Sequence, residues 1–138
     1  MSINLIPAAD ISATGLSAER KRMDIIANNL ANINTAGTEN SVYRRKVAVF
    51  ESLVNDAING GEEKGVELTE ITSDNRAPGQ KYMPYHPEAD KNGMVFVPNI
   101  SPIEEMVDMI TATRAYEANL SVIKESRKQA DEALKLLQ

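Results

Sequence analysis

The sequence predicts a mainly α protein in which two long helices bracket a small β-rich insertion. Apolar residues recur at heptad spacing near each end of the chain, which indicates two amphipathic helices. Between them, residues 65–100 hold alternating apolar runs and four of the six prolines. The simplest arrangement is an antiparallel coiled-coil hairpin of the two helices, with the insertion at its far end.

Composition limits the classes of function. The chain has 138 residues, enough for one domain, and 42% of them are hydrophobic, enough for a core. Aromatic residues make up 4% and Trp is absent, which favours packing between aliphatic helix faces. Cysteine is absent, which excludes disulfides, thiol nucleophiles and Cys metal sites. A net charge of −5 argues against a nucleic-acid partner.

No membrane insertion and no cleaved signal peptide are expected. No apolar run approaches the roughly 20 residues of a membrane-spanning helix. The start of the chain has no basic segment followed by an apolar one, as a secretory signal requires. If the protein leaves the cytoplasm, another route must export it.

The N-terminal helix is predicted over residues 8–35, with Pro7 in its first turn and Gly37 as C-cap. Two apolar rows recur every seven residues, and together they exceed what one partner helix buries. The residues that we assign here to packing and partner binding are Leu16, Met23, Ile26, Leu30 and Ile33.

Asparagines crowd the other face of this helix. Asn28, Asn29 and Asn32 lie opposite the apolar face that contains Met23 and Leu30. Together with Asn34 they lower the stability of the helix by about 2–3 kcal/mol relative to alanine. One interpretation is a solvated face near a fraying helix end. The other is an amide stripe that bonds to neighbouring subunits while the apolar face packs on the C-terminal helix.

Residues 38–64 are predicted to be a connector. The basic clusters Arg20–Arg22 and Tyr43–Lys46 could bind phosphate, but a solvated or intersubunit strip fits the acidic net charge better. Phe50 and Val54 are four residues apart in FESLVNDAI, which predicts a short helix carrying an apolar pair.

The insertion is predicted to contain two strands, GVELTEI from Gly65 and MVFV from Met94, with a loop over Ser73–Gly79. The segment from Glu88 to Gly93 superficially resembles a calcium loop. Its twelfth position, however, is Asn99 and not a bidentate carboxylate, so we expect a hairpin turn at Asp90–Gly93.

Nothing in the sequence assembles a catalytic set. His86 is the only histidine, and no Ser or carboxylate is placed to act with it, so a structural imidazole is expected. An enzyme or metal protein built around His86 and the loop carboxylates is the less favoured alternative. We therefore predict no catalytic residue, no cofactor and no metal.

The C-terminal helix is predicted to follow a capping box at Ser101–Glu104 and to extend to Leu137. Two heptad rows, one starting at Met106 and one at Met109, should form its seam. Val107, Ile110 and Val122 lie off that seam. The residues assigned to assembly are Met106, Met109, Ile110, Tyr116, Asn119, Leu120 and Ile123.

Both helices therefore keep apolar surface after pairing. Surface of this kind meets other chains, and repeated heterologous contacts build open helical arrays. The residue pattern alone therefore predicts a structural subunit. Its segments are the N-terminal helix (1–37), the connector (38–64), the β-rich insertion (65–100) and the C-terminal helix (101–138). The alternative is a soluble coiled-coil adaptor that forms a closed oligomer.

Three segments resemble the flagellar rod, hook and hook-associated axial proteins. The N-terminal segment has Gly15-Leu16, Met23, and the string ANNLAN at residues 27–32 followed by Asn34-Thr35. The C-terminal segment has Glu105–Ile110 and Arg114–Asn119. The central segment reads Tyr82-x-Pro84-x-His86-Pro87-x-Ala89-Asp90-x-x-Gly93 and is followed by Pro98-Asn99. The central segment is similar to that of a proximal rod member, with Met83 in place of the usual Asp and Tyr85 in place of a small residue.

The resemblance implies a structural subunit of the proximal rod of the bacterial flagellar basal body. Such subunits assemble with copies of themselves and other rod proteins into a hollow helical axle that crosses the periplasm. The axle transmits torque and passes export substrates. The resemblance also implies delivery by the flagellar type III export apparatus, for which Phe50 and Val54 resemble the recognised signal.

Overall fold

The computed structural model describes residues 7–54 and 63–136. Within these residues, two helices and four strands follow one another in the order α1 (Pro7–Ala31), β1 (Lys46–Val54), β2 (Glu63–Ser73), β3 (Gly79–Tyr82), β4 (Met94–Val97) and α2 (Pro102–Lys135). The prediction of a mainly α chain with a β insertion is confirmed. β1 pairs with β2, and β3 pairs with β4.

Both helices begin where the sequence predicts. α1 starts at Pro7, whose missing N–H costs nothing in a first turn. Ser101 caps α2: its Oγ accepts a hydrogen bond from the Glu104 N–H at 3.4 Å, and its carbonyl accepts one from the Glu105 N–H at 3.1 Å. The predicted end at Leu137 lies just outside the described residues.

The end of α1 differs from the prediction. The helix stops at Ala31, and the Asn32 amide bonds back to the Asn28 carbonyl at 2.8 Å. Gly37 is not a C-cap; it forms an isolated β-bridge with Phe96, with N···O distances of 2.9 and 3.0 Å. Asparagines compete for backbone groups, so a cluster of them ends the helix earlier than its apolar rows suggest.

The predicted helix at FESLVNDAI is wrong where the structure describes it. Phe50 and Val54 belong to β1, and residues 55–58 lie outside the described range. A spacing of four residues returns to the same side of both a helix and a strand. The β-branched and aromatic residues of KVAVF favour the strand, and β2 supplies its partner.

β3 and β4 form an antiparallel hairpin in the register Gly79↔Val97 to Tyr82↔Met94. β4 matches the predicted MVFV strand, whereas β3 was not predicted and begins at Gly79, the last residue of the predicted loop. The predicted turn at Asp90–Gly93 is confirmed: Asp90 Oδ1 accepts from the N–H groups of Asn92 (2.7 Å) and Met94 (2.9 Å), and Gly93 has φ = 76°.

The chain divides into two compact units. One contains the start of α1 up to Arg22, residues Val49–Glu70, and α2 from Thr111; the other contains Met23–Ala48 and Ile71–Ile110. The first unit buries small side chains, Ser12, Ala18 and Ala112. The second buries a larger apolar group: Ile25, Ile26, Val42, Val95 and Ile100. In the described part of the chain, neither helix is apolar enough over a sufficient length to cross a membrane.

Candidate assembly site

A cluster of polar side chains joins α1, the start of β1 and the first turns of α2 inside the second unit. We call it the polar junction. Its members are Asn29, Tyr43, Arg45, Lys46, Glu105 and Asp108.

Asn29 lies at the centre of the polar junction and is only 1% exposed. Its Nδ2 donates to the Lys46 carbonyl (2.9 Å) and to Glu105 Oε2 (3.1 Å). Its Oδ1 accepts from the Lys46 N–H (2.9 Å) and the Tyr43 hydroxyl (3.0 Å). These bonds use both donors and both acceptor lone pairs of the amide, so its burial leaves no polar group unpaired.

Glu105 brings a negative charge into the same place and is 0% exposed. Arg45 Nε lies 2.5 Å from Glu105 Oε1, and Arg45 Nη2 lies 3.1 Å from Asp108 Oδ2. Arg45 thus bridges two carboxylates one helical turn apart on α2. A buried carboxylate is tolerated when it has such a cation and further hydrogen bonds, and the Asn29 amide supplies one of those bonds.

Tyr43 completes the hydrogen bonding of Asn29. Burial, and secondly the negative charge of Glu105, raise the pKa of Tyr43 above its ordinary value of 10.0. The phenol therefore stays protonated, as its donor role requires, across and above the neutral range. The Lys46 ammonium lies 5.7 Å from the centre of the Tyr43 ring.

A second, more exposed set of charges ties the loop after β2 to the start of α2. Arg76 lies 2.7 Å from Asp74 Oδ2 and 3.1 Å from Glu104 Oε2. The hydrogen bonds from Arg76 hold the pKa of the Asp74 carboxyl below its ordinary value of 3.8. Among the described residues, no group of His, Cys, Asp and Glu is arranged to hold a metal ion.

The first three turns of α2 carry an exposed apolar surface, which we call the α2 stripe. Its members are Ile103 (73% exposed), Met106 (55%), Val107 (56%) and Ile110 (55%). Their spacing of three and four residues places them on one face of the helix. Met106 and Ile110 were predicted as assembly residues, and Val107 as apolar surface outside the seam. Exposed apolar faces of this kind mark contacts with other molecules.

The predicted α1 residues divide between the interior and the surface. Ile26 is buried, Leu16, Met23 and Ile33 are half-buried, and Leu30 is 36% exposed. The expectation that the asparagine face points outward is wrong for Asn29. Asn28 is exposed and Asn32 is half-buried, and both side-chain amides donate to carbonyls one turn earlier in α1. Binding of neighbouring subunits by these residues stays a prediction.

One of the two predicted seam rows of α2 faces outward. Met106 and Leu134, near the ends of that row, are 55% and 61% exposed. The row one residue earlier lies inward: its members are Glu105, Ala112, Asn119 and Ser126, and the first two are 0% exposed. Leu120, in the middle of the outward row, is half-buried. The other predicted row is half-buried at Met109, Tyr116 and Ile123.

Tyr43, Arg45 and Glu105 were not predicted as site residues. The sequence places Tyr43 and Arg45 in a solvated or intersubunit basic strip and Glu105 in a family motif. Hydrophobic periodicity does not detect an inward row made of small and polar side chains. One available signal is the alignment of Glu105 with Ala112 and Asn119 at heptad spacing. Phe50 is half-buried on β1, and Val54 is the last residue of that strand.

Two family models match the helical ends of the chain. One, described as "Flagella basal body rod protein", matches residues 10–37. The other, described as "Flagellar basal body rod FlgEFG protein C-terminal", matches residues 91–136. The matched segments include Asn29 and the α2 stripe.

Curated relatives match nearly the whole chain. A flagellar basal-body rod protein FlgC of Aquifex aeolicus is 43% identical over 138 residues, covering 96% of this chain and 99% of the relative. The FlgC of Borreliella burgdorferi is 39% identical and covers 99% of both chains. The FlgC of Bacillus subtilis is 33% identical and covers 92% of this chain and 94% of the relative.

Proposed function

Because the chain belongs to the FlgC family of flagellar basal-body rod proteins, we propose here how its helices build it into a rod. The protein is a structural subunit of the basal-body rod and not an enzyme. Its partners are other components of that rod. Family membership favours this function over a closed coiled-coil adaptor.

We propose that α1 and α2 pair as an antiparallel coiled-coil hairpin. Two contacts support this pairing, one within each unit. A Cβ on Gly15 would lie 2.9 Å from Asn119 Nδ2, and Asn29 bonds Glu105. The two positions are fourteen residues apart on each helix (15 to 29, and 119 to 105). Two whole heptads in opposite directions are what an antiparallel coiled coil requires.

We propose that the α2 stripe is the surface that meets a neighbouring rod subunit. The observation that supports this proposal is that four apolar side chains on one helix face are each more than half exposed. The charged residues that lie between these side chains in sequence are on other faces of the helix: Glu105 and Asp108 bond Arg45, and Glu104 bonds Arg76. No charged side chain therefore interrupts the stripe between Ile103 and Ile110. An apolar face of a neighbouring helix fits such a surface.

An Ile110→Asp substitution tests the α2 stripe. The introduced carboxylate would be buried unpaired at a subunit contact, so we expect the chain to be made at normal levels but to be missing from isolated basal bodies, with motility lost. Gln129→Asp, an added charge at another exposed position of α2, is the matched control and should assemble. Normal incorporation of the Ile110→Asp chain would contradict the proposal.

The resemblance of the central segment, residues 82–99, to a proximal rod member suggests where in the rod this protein lies. We propose a place in the proximal part of a hollow helical axle that crosses the periplasm, transmits torque and passes export substrates, with no nucleic-acid partner. We also propose export by the flagellar type III apparatus with Phe50 and Val54 as its signal. A Phe50→Ala chain should then be made but stay inside the cell. Its presence in rods at normal amounts would contradict the export proposal.

A further inference from the structure

We infer that the polar junction fixes the register of α1 against α2, choosing one of several pairings that the apolar pattern would allow. The inference rests on the antiparallel pairing proposed above. It assigns to Asn29, Arg45 and Glu105 a role in specificity that is separate from packing.

Apolar periodicity alone leaves the register open. The rows of both helices repeat every seven residues, so sliding α1 by one heptad keeps apolar side chains opposite apolar side chains. The inward row of α2 has small side chains at Ala112 and Ser126, which would not resist a shift by their size. Some other feature must distinguish the observed pairing.

The polar junction is not preserved by a shift. Moving Asn29 one heptad along α2 would place it opposite Ala112, which is 0% exposed and has no polar side-chain atom. The opposite shift would place Asn29 opposite Pro98, before the first residue of α2. That shift could pair Arg22 with Glu105, yet it would still leave the Asn29 amide away from the carboxylate that it bonds at 3.1 Å. An unpaired buried amide makes either pairing unfavourable.

The junction also ties the connector to the same register. Asn29 bonds both the N–H and the carbonyl of Lys46, the first residue of β1. The preceding Arg45 bonds Glu105 and Asp108 of α2. The start of β1 is therefore attached to both helices, and a change of register would break contacts with three elements at once.

Cysteine pairs can measure the register, because the natural chain has no cysteine. Gly15→Cys with Asn119→Cys reports the observed pairing, whereas Gly15→Cys with Ala112→Cys or Ser126→Cys reports a shift by one heptad in either direction. Each pair is placed in the full-length chain, once with the natural junction and once with Asn29→Leu, Arg45→Met and Glu105→Met. Oxidation followed by non-reducing electrophoresis gives the yield of each cross-link.

With the natural junction, we expect the 15–119 cross-link to exceed either shifted one by about tenfold or more, since a shift leaves buried polar groups unbonded. With the apolar junction, we expect shifted cross-links within about threefold of the 15–119 yield, because buried ionic groups can be replaced by apolar ones without loss of folding. Arg44→Met alone is the control; Arg44 is the exposed neighbour of Arg45 and is not part of the polar junction, so this chain should retain the single register.

Two results overturn the inference while leaving the hairpin in place. One is an apolar-junction chain that still forms only the 15–119 cross-link. The other is an apolar-junction chain that loses its helical circular dichroism, because the junction would then serve stability and not register. A different failure, no 15–119 cross-link with the natural junction, would refute the helix pairing itself and the inference with it.

Discussion

A buried amide and a buried carboxylate stabilise this protein only as members of one set. Glu105 is 0% exposed; its charge is paired with Arg45, and its carboxylate also accepts a hydrogen bond from the Asn29 amide. Asn29 in turn uses every hydrogen-bonding position of its side chain. Removing one member leaves the others buried without a partner, which costs more than the contact itself contributes.

Replacing Arg45 with Met should therefore be strongly destabilising. The substitution leaves Glu105 buried without its cation, and we expect the free energy of unfolding to fall by about 3 kcal/mol. Urea unfolding of the full-length chain, followed by circular dichroism, measures the change.

Arg44→Met is the matched control for that experiment. Arg44 is the exposed neighbour of Arg45 in the same basic cluster, and its replacement should change the free energy of unfolding by less than about 0.5 kcal/mol. Equal effects of the two substitutions would contradict the role given to Arg45.

At the scale of elements, sequence periodicity predicts the long helices well. α1 and α2 begin at Pro7 and Pro102, where proline and a serine cap mark a helix start. The β4 strand and its preceding turn are also predicted, because β-branched residues and an Asp–Gly turn give local signals. These features depend on neighbours in sequence.

The remaining features depend on residues distant in sequence. β1 becomes a strand because β2 pairs with it, and its i, i+4 apolar spacing alone does not separate strand from helix. Gly37 does not cap α1, because its backbone is paired with that of Phe96 in a β-bridge. The inward row at Glu105 escapes a hydrophobic pattern because its members are polar or small, so the polar junction emerges only from the three-dimensional arrangement.

The start of β2 makes a close contact with α1 that tests this long-range packing. Gly65 has φ = 116°, and a Cβ there would overlap the side chain of Thr14. Thr14 Oγ1 also accepts a hydrogen bond from the Val66 N–H at 3.1 Å. Gly65→Ala should lower the free energy of unfolding by about 1–3 kcal/mol, because both the backbone and the contact are strained.

Gly79→Ala provides the comparison for Gly65→Ala. Gly79 lies in β3 outside the positive-φ region, and a Cβ there would meet Val97 Cγ2 at 3.3 Å. Its substitution should cost less than about 1 kcal/mol, since a side-chain methyl can move by a few tenths of an ångström. A larger loss of stability, by urea unfolding, for Gly79→Ala than for Gly65→Ala would show that the β2–α1 contact is not under this constraint.

At the scale of the whole molecule, the exposed apolar surface is typical of a subunit that binds other chains. Ile103, Met106, Val107 and Ile110 together expose one apolar face at the start of α2. The chain belongs to a family of basal-body rod proteins, and we propose that this face contacts a neighbouring rod subunit. On this proposal, internal polar contacts hold the helices and the exposed apolar surface serves assembly, so we expect folding and incorporation into the rod to use different residues.

Electron cryomicroscopy of the purified basal body, with this chain traced, tests that account most directly. We predict that the α2 stripe is covered by apolar side chains of an adjacent rod subunit, while Asn29, Arg45 and Glu105 bond one another within the chain. A map in which Met106 and Ile110 face open solvent, with the polar junction instead contacting a neighbouring subunit, would contradict it.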